Sequence, residues 1–336
     1  MNWKKSGIIL VSILAAIILI IPSVIVIPFI EAGENETTQS NRHENDSILE
    51  LDSSFTIKVF RTASSQVEDV PLEVYVARVV ASEMPADFEM EALKAQALAA
   101  RTFLVKHLLQ GSQAPENSHV KDTVEHQVYK NEDELRQLWG TDYSWKMKRI
   151  KQAVAETQGE IITYEGEPIT AAFFSTSNGF TENSEDYWQN SIPYLRSVQS
   201  PWDEESPKFL NQKIVALDEV ENKLGVDLSQ QPIFSDLTRT ESNRVETVTI
   251  GDKTFTGREV REALGLHSSD FSIAKKDHYL IFTTKGYGHG VGMSQYGANG
   301  MAKEGKTYKE IVQYYYKGAT ISDITPYLER MESSKQ

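Results

Sequence analysis

Tyr75-Val76-Ala77-Arg78-Val79-Val80-Ala81-Ser82-Glu83-Met84-Pro85 opens a stretch, reaching to Gln110, that decides how this chain folds. Leu72, Tyr75, Val76, Val79 and Val80 recur at helical steps, the pattern of one buried helix face. Asp69 can cap this helix, Pro71 suits its first turn and Pro85 stops it. Asp87 can cap a second helix, in which Ala92, Ala95, Ala99 and Phe103 line up, with Ala100 beside them. So small a face lets another element approach closely. The second helix should end near Gly111.

Outward from this pair the pattern alternates between strands and helices. Phe55, Ile57 and Val59 have the period of a half-buried strand. Residues 146–157 read as a helix closed by Gly159. Residues 161–164 and 169–174 read as strands joined by a turn at 165–168, and a polar segment, 175–183, leaves the second strand's end. Such a segment on a rigid support often carries function. Region 202–275 is a candidate insertion. Within it 213–224 reads as a helix, 244–250 and 253–255 as a hairpin about Gly251-Asp252, and 257–264 as a short helix. A strand at 279–284 leads into a glycine-rich run at 286–298, and a helix at 307–316 follows. This mixture is an α+β domain, spanning 48–330, with no internal repeat.

The first residues stand apart. Residues 7–30 carry no charged side chain and follow Lys4 and Lys5. As a helix they would reach about 36 Å, enough for a hydrocarbon core of about 30 Å. They therefore read as a transmembrane helix behind a cytoplasmic tail at 1–6, with the following domain extracytoplasmic by the positive-inside rule. A cleaved signal peptide is the alternative, against which the length of the apolar run argues. Residues 31–47 are polar and nearly free of apolar side chains, so they form a tether.

Composition excludes several functions. With 40% apolar and 24% charged residues among 336, the chain can bury a core. It has no cysteine, which removes disulfides, thiol nucleophiles and thiolate metal sites. A net charge of −14 argues against nucleic-acid binding. The glycines of 286–292 are followed by no helix start with Lys-Ser/Thr, so they form no phosphate-binding loop.

Glu83 is the carboxylate of interest. Val79 and Val80 precede it by one turn, and Met84 and Pro85 follow. Apolar company raises a carboxyl's pKa, and a neutral carboxyl is what protonation of a glycosidic oxygen requires. A solvated glutamate at a helix end is the plainer alternative, although the helix dipole disfavours a negative charge there. His289, among glycines, is open to a ligand or is a satisfied loop histidine. Residues Ser175, Thr176, Ser177 and Asn178 form a polar turn without the G-x-S-x-G elbow of a serine nucleophile. Tyr187, Trp188, Trp202 and Tyr314 to Tyr316 offer sugar-stacking faces or simple packing. His119 and His126 are weak support for a metal, and no metal or other cofactor is expected.

Three segments together resemble the stage II sporulation protein D family. They are 75–102, the Phe174-Ser175-Thr176-Ser177-Asn178-Gly179 turn, and Gly288-His289-Gly290-Val291-Gly292-Met293-Ser294-Gln295-Tyr296-Gly297-Ala298, in the family's order. Amidase-enhancer proteins share the domain. The resemblance implies a lytic transglycosylase that cuts peptidoglycan glycan strands, preferably stripped of stem peptides, during forespore engulfment. It implies as partners a sporulation cell-wall amidase and a membrane protein tethering both, and a place in the mother-cell engulfing septal membrane. The family's catalytic glutamate falls on Glu83. Arg101, Ser175, Thr176, Ser177, Asn178, Tyr187, His289 and Gln295 are then expected to form the substrate cleft around it. Some family members hold zinc through Cys and His after the second helix. Here Lys121 and His126 stand where the cysteines would be, so that site is not expected. A glycan-binding amidase activator and a hydrolytic muramidase, with Glu182, Glu185 or Asp186 as second carboxylate, remain the alternatives.

Overall fold

Ile57 and Val59, both fully buried, fix the inward face of strand β1 (Thr56–Arg61), which pairs antiparallel with β2 (Gln66–Pro71). The structure is a computed structural model that describes residues 51, 53, 55–111, 114–229 and 232–333. The tail, apolar segment and tether read from 1–47 lie outside these residues. Among the described residues no helix is long and apolar enough to cross a membrane.

Strand β2 turns directly into α1 (Leu72–Glu83), with Pro71 at the N-cap. Asp69 does not cap the helix; it lies in β2 opposite Lys58. Met84 is extended and Pro85 follows, so α1 ends where its sequence stops it. Helix α2 (Met90–Leu109) starts from Glu89 rather than Asp87, and Gly111 sits past its end at φ +84°. Two faces of α2 are buried in different cores. Leu93, Ala97, Ala100 and Leu104 pack with α1 and β1, while Ala92, Ala95, Leu98 and Ala99 pack on the other side. A helix apolar all round is the sequence signature of such a central position.

The short β3 (Val120–Lys121) adds to β1 in parallel, completing the sheet β2-β1-β3. Helix α3 (Glu132–Trp139) carries a capping box between Asn131 and Glu134 and leads to α4 (Tyr143–Ala155), which begins three residues before the expected start. Strands β4 (Glu160–Tyr164) and β5 (Glu167–Pro168) form a hairpin tighter than expected, since β5 takes up the second half of the expected turn at 165–168. Residues 169–174 are not one strand. Ile169 still bonds to Ile162, then the chain carries Ile169 and Ala171 into the second core and forms β6 (Phe173–Phe174). Helix α5 (Ser184–Trp188) follows.

The next stretch builds a lobe with its own core. Its elements are β7 (Leu210–Ala216), α6 (Leu217–Leu224), β8 (Phe234–Ser235), β9 (Thr247–Ile250), β10 (Lys253–Thr256), α7 (Gly257–Leu264), β11 (Phe271–Lys276) and β12 (Tyr279–Lys285). Two three-stranded sheets, β11-β12-β7 and β10-β9-β8, enclose Val215, Val220, Val248, Val260, Phe271 and Phe282. The helix expected over 213–224 starts only at Leu217, because 210–216 pair residue by residue with β12. The chain then returns through β13 (Met293–Ser294), which pairs parallel with β6. Helices α8 (Gln295–Lys303) and α9 (Tyr308–Tyr315) complete the second core, β14 (Thr320–Asp323) joins β4, and α10 (Thr325–Ser333) ends the described chain. Gly297 and Gly300 give α8 its close fit: a Cβ there would meet the Tyr315 hydroxyl at 2.0 Å and the Trp202 Cβ at 2.2 Å.

Candidate active site

A cleft of about 860 Å³ opens beside the C-terminal end of α1. Glu83 lies in its wall, half-buried. Burial pushes the Glu83 carboxyl above its ordinary pKa, opposed by the Val128 amide and the Lys130 charge. The Val128 amide donates to Oε1 at 3.0 Å. Gln295 lies behind: its Nε2 donates to the Glu83 main-chain carbonyl at 3.1 Å and to Gln96 at 3.3 Å. An otherwise orphaned carbonyl at the end of α1 is thereby satisfied, and the backbone that carries the carboxyl is fixed.

Across the cleft stand Tyr187, Trp188 and His289, with ring centroids 5.6–5.9 Å apart. The His289 ring is fully engaged. Nε2 lies 3.0 Å from the Phe173 carbonyl, and Nδ1 accepts from the Val291 amide at 3.1 Å. An Nδ1 that accepts leaves the proton on Nε2. Burial, with Arg261 next, lowers this imidazole's pKa to about 4, so it is neutral near pH 7. His289 thus presents a ring face and holds β6 to the glycine run. Gly292, at φ +82°, permits this approach; a Cβ there would meet the Ala172 carbonyl at 2.1 Å.

Of the residues expected to converge on Glu83, the cleft wall contains Ser175, Tyr187, His289 and Gln295. Arg101 does not reach it. The guanidinium is fully buried between α1 and β4, bonded to Glu73 at 2.6 and 3.0 Å and to the Glu160 carbonyl at 3.0 Å. Its place is structural because Glu73, in the first turn of α1, supplies the countercharge. Thr176, Ser177 and Asn178 also point away from the cleft lining. Thr176 bonds Ser206 at 2.9 Å, and Asn178 bonds Asp270 and the Ser242 carbonyl of the lobe, each at 2.8 Å. Ser177 donates to Asp203, a fully buried carboxylate that also accepts from Ser200 and Ser294. This hub ties the turn to the start of α8, so the turn braces the cleft.

Other lining groups had no signal in the sequence. Arg258 and Arg261 come from α7 of the lobe, and the Arg258 guanidinium lies 4.6 Å from the Tyr187 ring centroid. Lys208 lies 5.1 Å from the Tyr287 ring centroid. They bring positive charge to the cleft, and Arg258 and Arg261, 71 and 74 residues beyond Tyr187 in the chain, reach it through the fold of the lobe. The second carboxylate in the wall, Glu125, is exposed, ion-paired with Lys121 at 2.7 Å and held below its usual pKa by that lysine. Glu182, Glu185 and Asp186 do not line the cleft. Glu182 is buried near Arg244 at 3.8 Å, and Glu185 is paired with Arg196, which lowers its pKa to about 2.

The loop read as a lost zinc site is closed by other bonds. His126 Nδ1 accepts from the Lys121 amide at 3.1 Å, and its ring meets that of His107 at 4.6 Å. His119 Nδ1 accepts from the Lys58 amide at 3.1 Å. Among the described residues no group of three or more His, Cys, Asp or Glu is arranged to hold a metal ion.

Residues 61–164 match the family described as stage II sporulation protein. The chain is 49% identical to stage II sporulation protein D of Bacillus subtilis strain 168, over 98% of this chain and all of that protein. It is 46% identical to stage II sporulation protein D of Bacillus amyloliquefaciens over the same shares. A 30% identity to the amidase enhancer of Bacillus subtilis covers 73% of this chain and 40% of that protein.

Proposed function

Since the chain belongs to the stage II sporulation protein D family, we propose that it is a peptidoglycan lytic transglycosylase with Glu83 as its acid and base. One observation carries the reading: Glu83 is the carboxyl in the cleft wall that burial drives toward its neutral form. Protonated Glu83 donates to the glycosidic oxygen between N-acetylmuramic acid and N-acetylglucosamine. The C1–O bond breaks and positive charge develops on the muramic ring. The resulting carboxylate takes the proton from the muramic O6, which attacks C1 and closes a 1,6-anhydro ring.

Each step has a counterpart in the site. Burial favours the acid before bond breaking, and the Val128 amide and Lys130 favour the conjugate base after it. No water is consumed, so one carboxyl suffices. Hydrolytic glycosidases use two carboxyls, about 5–9.5 Å apart. The rings of Tyr187 and Trp188 provide stacking faces for sugars, and Arg258 and Arg261 provide donors to their hydroxyl and acetamido oxygens.

Family membership and the apolar run at 7–30 support a wider setting. In it the protein is a single-pass membrane protein of the engulfing septal membrane, catalytic domain outside, acting with a cell-wall amidase and a tether protein on strands stripped of peptides. The relative named amidase enhancer favours a second reading, in which the chain binds glycan and activates an amidase without cutting. Glu83→Gln separates the two. An amide keeps the shape of the cleft and cannot supply the proton, so the transglycosylase loses turnover on denuded strands while a pure activator keeps its effect. Undiminished strand cutting by Glu83→Gln would refute the assignment.

A further inference from the structure

A second cavity, about 520 Å³, adjoins the aromatic cleft at Glu83. The two share Glu83 and Lys208 in their walls, so the carboxyl stands at the junction of two depressions. The floor of the second is the α1–α2 connection, residues 81–87, and its far wall is the α3–α4 corner. That corner presents Leu138 and Trp145 at 58% and 42% exposure. Among the described residues most large apolar side chains are withdrawn into the three cores.

The Asp142 carboxylate is kept below its usual pKa by Trp145 first, and by Lys146 next, whose Nζ lies 3.2 Å away. The Lys146 Nζ in turn lies 5.6 Å from the Trp139 ring centroid and 5.4 Å from that of Trp145. An exposed indole with a carboxylate, an ammonium and a second indole beside it has the chemistry of a sugar subsite. The ring faces take the apolar C–H face of a pyranose, and the charged groups take its hydroxyl and acetamido groups.

We propose that this groove is a second glycan-binding subsite, which holds the N-acetylhexosamine strand where it continues past Glu83 from the aromatic cleft. The inference rests on the glycan-cutting reading of Glu83. A polymer cut in its interior must lie on both sides of the catalytic group, and two cavities with otherwise separate walls, sharing only Glu83 and Lys208, meet at that group. The occupant is therefore the same strand, and Trp145 is its anchor on the second side.

The test measures binding separately from cutting. The full chain carrying Glu83→Gln is titrated with long denuded glycan strands, with and without Trp145→Ala. Loss of one well-oriented aromatic face should weaken binding about tenfold. Trp145→Phe, which keeps a ring, should recover most of that loss, whereas a general disturbance of α4 would not be rescued this way. Equal affinity with and without the Trp145 ring overturns the proposal. The two claims fail separately. If the native protein forms anhydro ends while Trp145→Ala binds strands unchanged, the groove falls and the reaction stands. If no anhydro ends form but Trp145→Ala still costs tenfold in affinity, the reaction falls and the groove stands.

Discussion

Helix α1 carries a glutamate at each end, and the two live in opposite environments. Glu73, in the first turn, is 3% exposed and is held by the buried Arg101 guanidinium. Its charge is met by a fixed countercharge and by the favourable end of the helix dipole. Glu83, in the last turn, is half-buried at the unfavourable end and touches a backbone amide rather than a guanidinium. The first arrangement makes the carboxylate a structural fastener. The second leaves a carboxyl able to exchange its proton. Burial alone does not make a catalytic acid; Glu83 combines partial burial with a place in the cleft wall and the lack of a strong cationic partner.

The sharpest way to break this comparison is to change Glu83. Glu83→Gln should lower the rate of strand cutting by about 10²–10⁴-fold, the usual range for loss of general acid–base catalysis, while leaving the circular dichroism spectrum intact. Arg101 should behave in the reverse manner. Arg101→Met leaves Glu73 buried without its partner and should cost about 3–5 kcal/mol in urea unfolding. The folded fraction should still cut strands, because Arg101 does not reach the cleft. A rate loss in Arg101→Met beyond the loss of folded protein would return Arg101 to the substrate site.

The pH profile gives a smaller effect. Cutting requires Glu83 protonated, so the rate should fall as pH rises through its raised pKa. Above that limb His289, with a pKa of about 4, should add no inflection near neutrality. The smallest effect concerns stability. A carboxyl whose pKa is higher in the folded chain stabilises the fold below its unfolded pKa, and that contribution is lost as pH rises through the folded value. At pH values above its unfolded pKa the buried carboxyl is therefore a burden, and Glu83→Gln should raise the melting temperature at pH 7. At pH 3 the gain should disappear. A melting temperature that falls on substitution at pH 7 would mean that Glu83 is a fastener like Glu73.

The same contrast explains what could be read from the sequence. The two helices around Glu83 were legible because proline and glycine mark three of their ends and Val79-Val80 mark the buried face. Glu83 itself stood out because its neighbours are apolar. Arg101 misled because its partner is 28 residues away; the available signal was a single charged residue in the run from Leu98 to Val105. The Ser177 and Asn178 side chains were misassigned for the same reason. Asp203 and Asp270, which bind them, lie far along the chain. Residues 213–216 passed for the start of a helix because their strand pairing is with β12, about 70 residues later. Arg258 and Arg261 lie on an amphipathic helix whose polar face gives no local sign that it meets the cleft. Local periodicity thus carried the elements, and long-range polar pairing decided which polar side chains reach the site.

The central claim is that one carboxyl, Glu83, acts as acid and then as base without water. It is tested most directly by the mass of the new chain ends formed from denuded glycan in water enriched in oxygen-18. The account requires muramic ends lighter than hydrolysed ends by one water and free of the heavy isotope, formed by the native protein and not by Glu83→Gln. Full-mass ends carrying oxygen-18 would contradict it and make the protein a hydrolase.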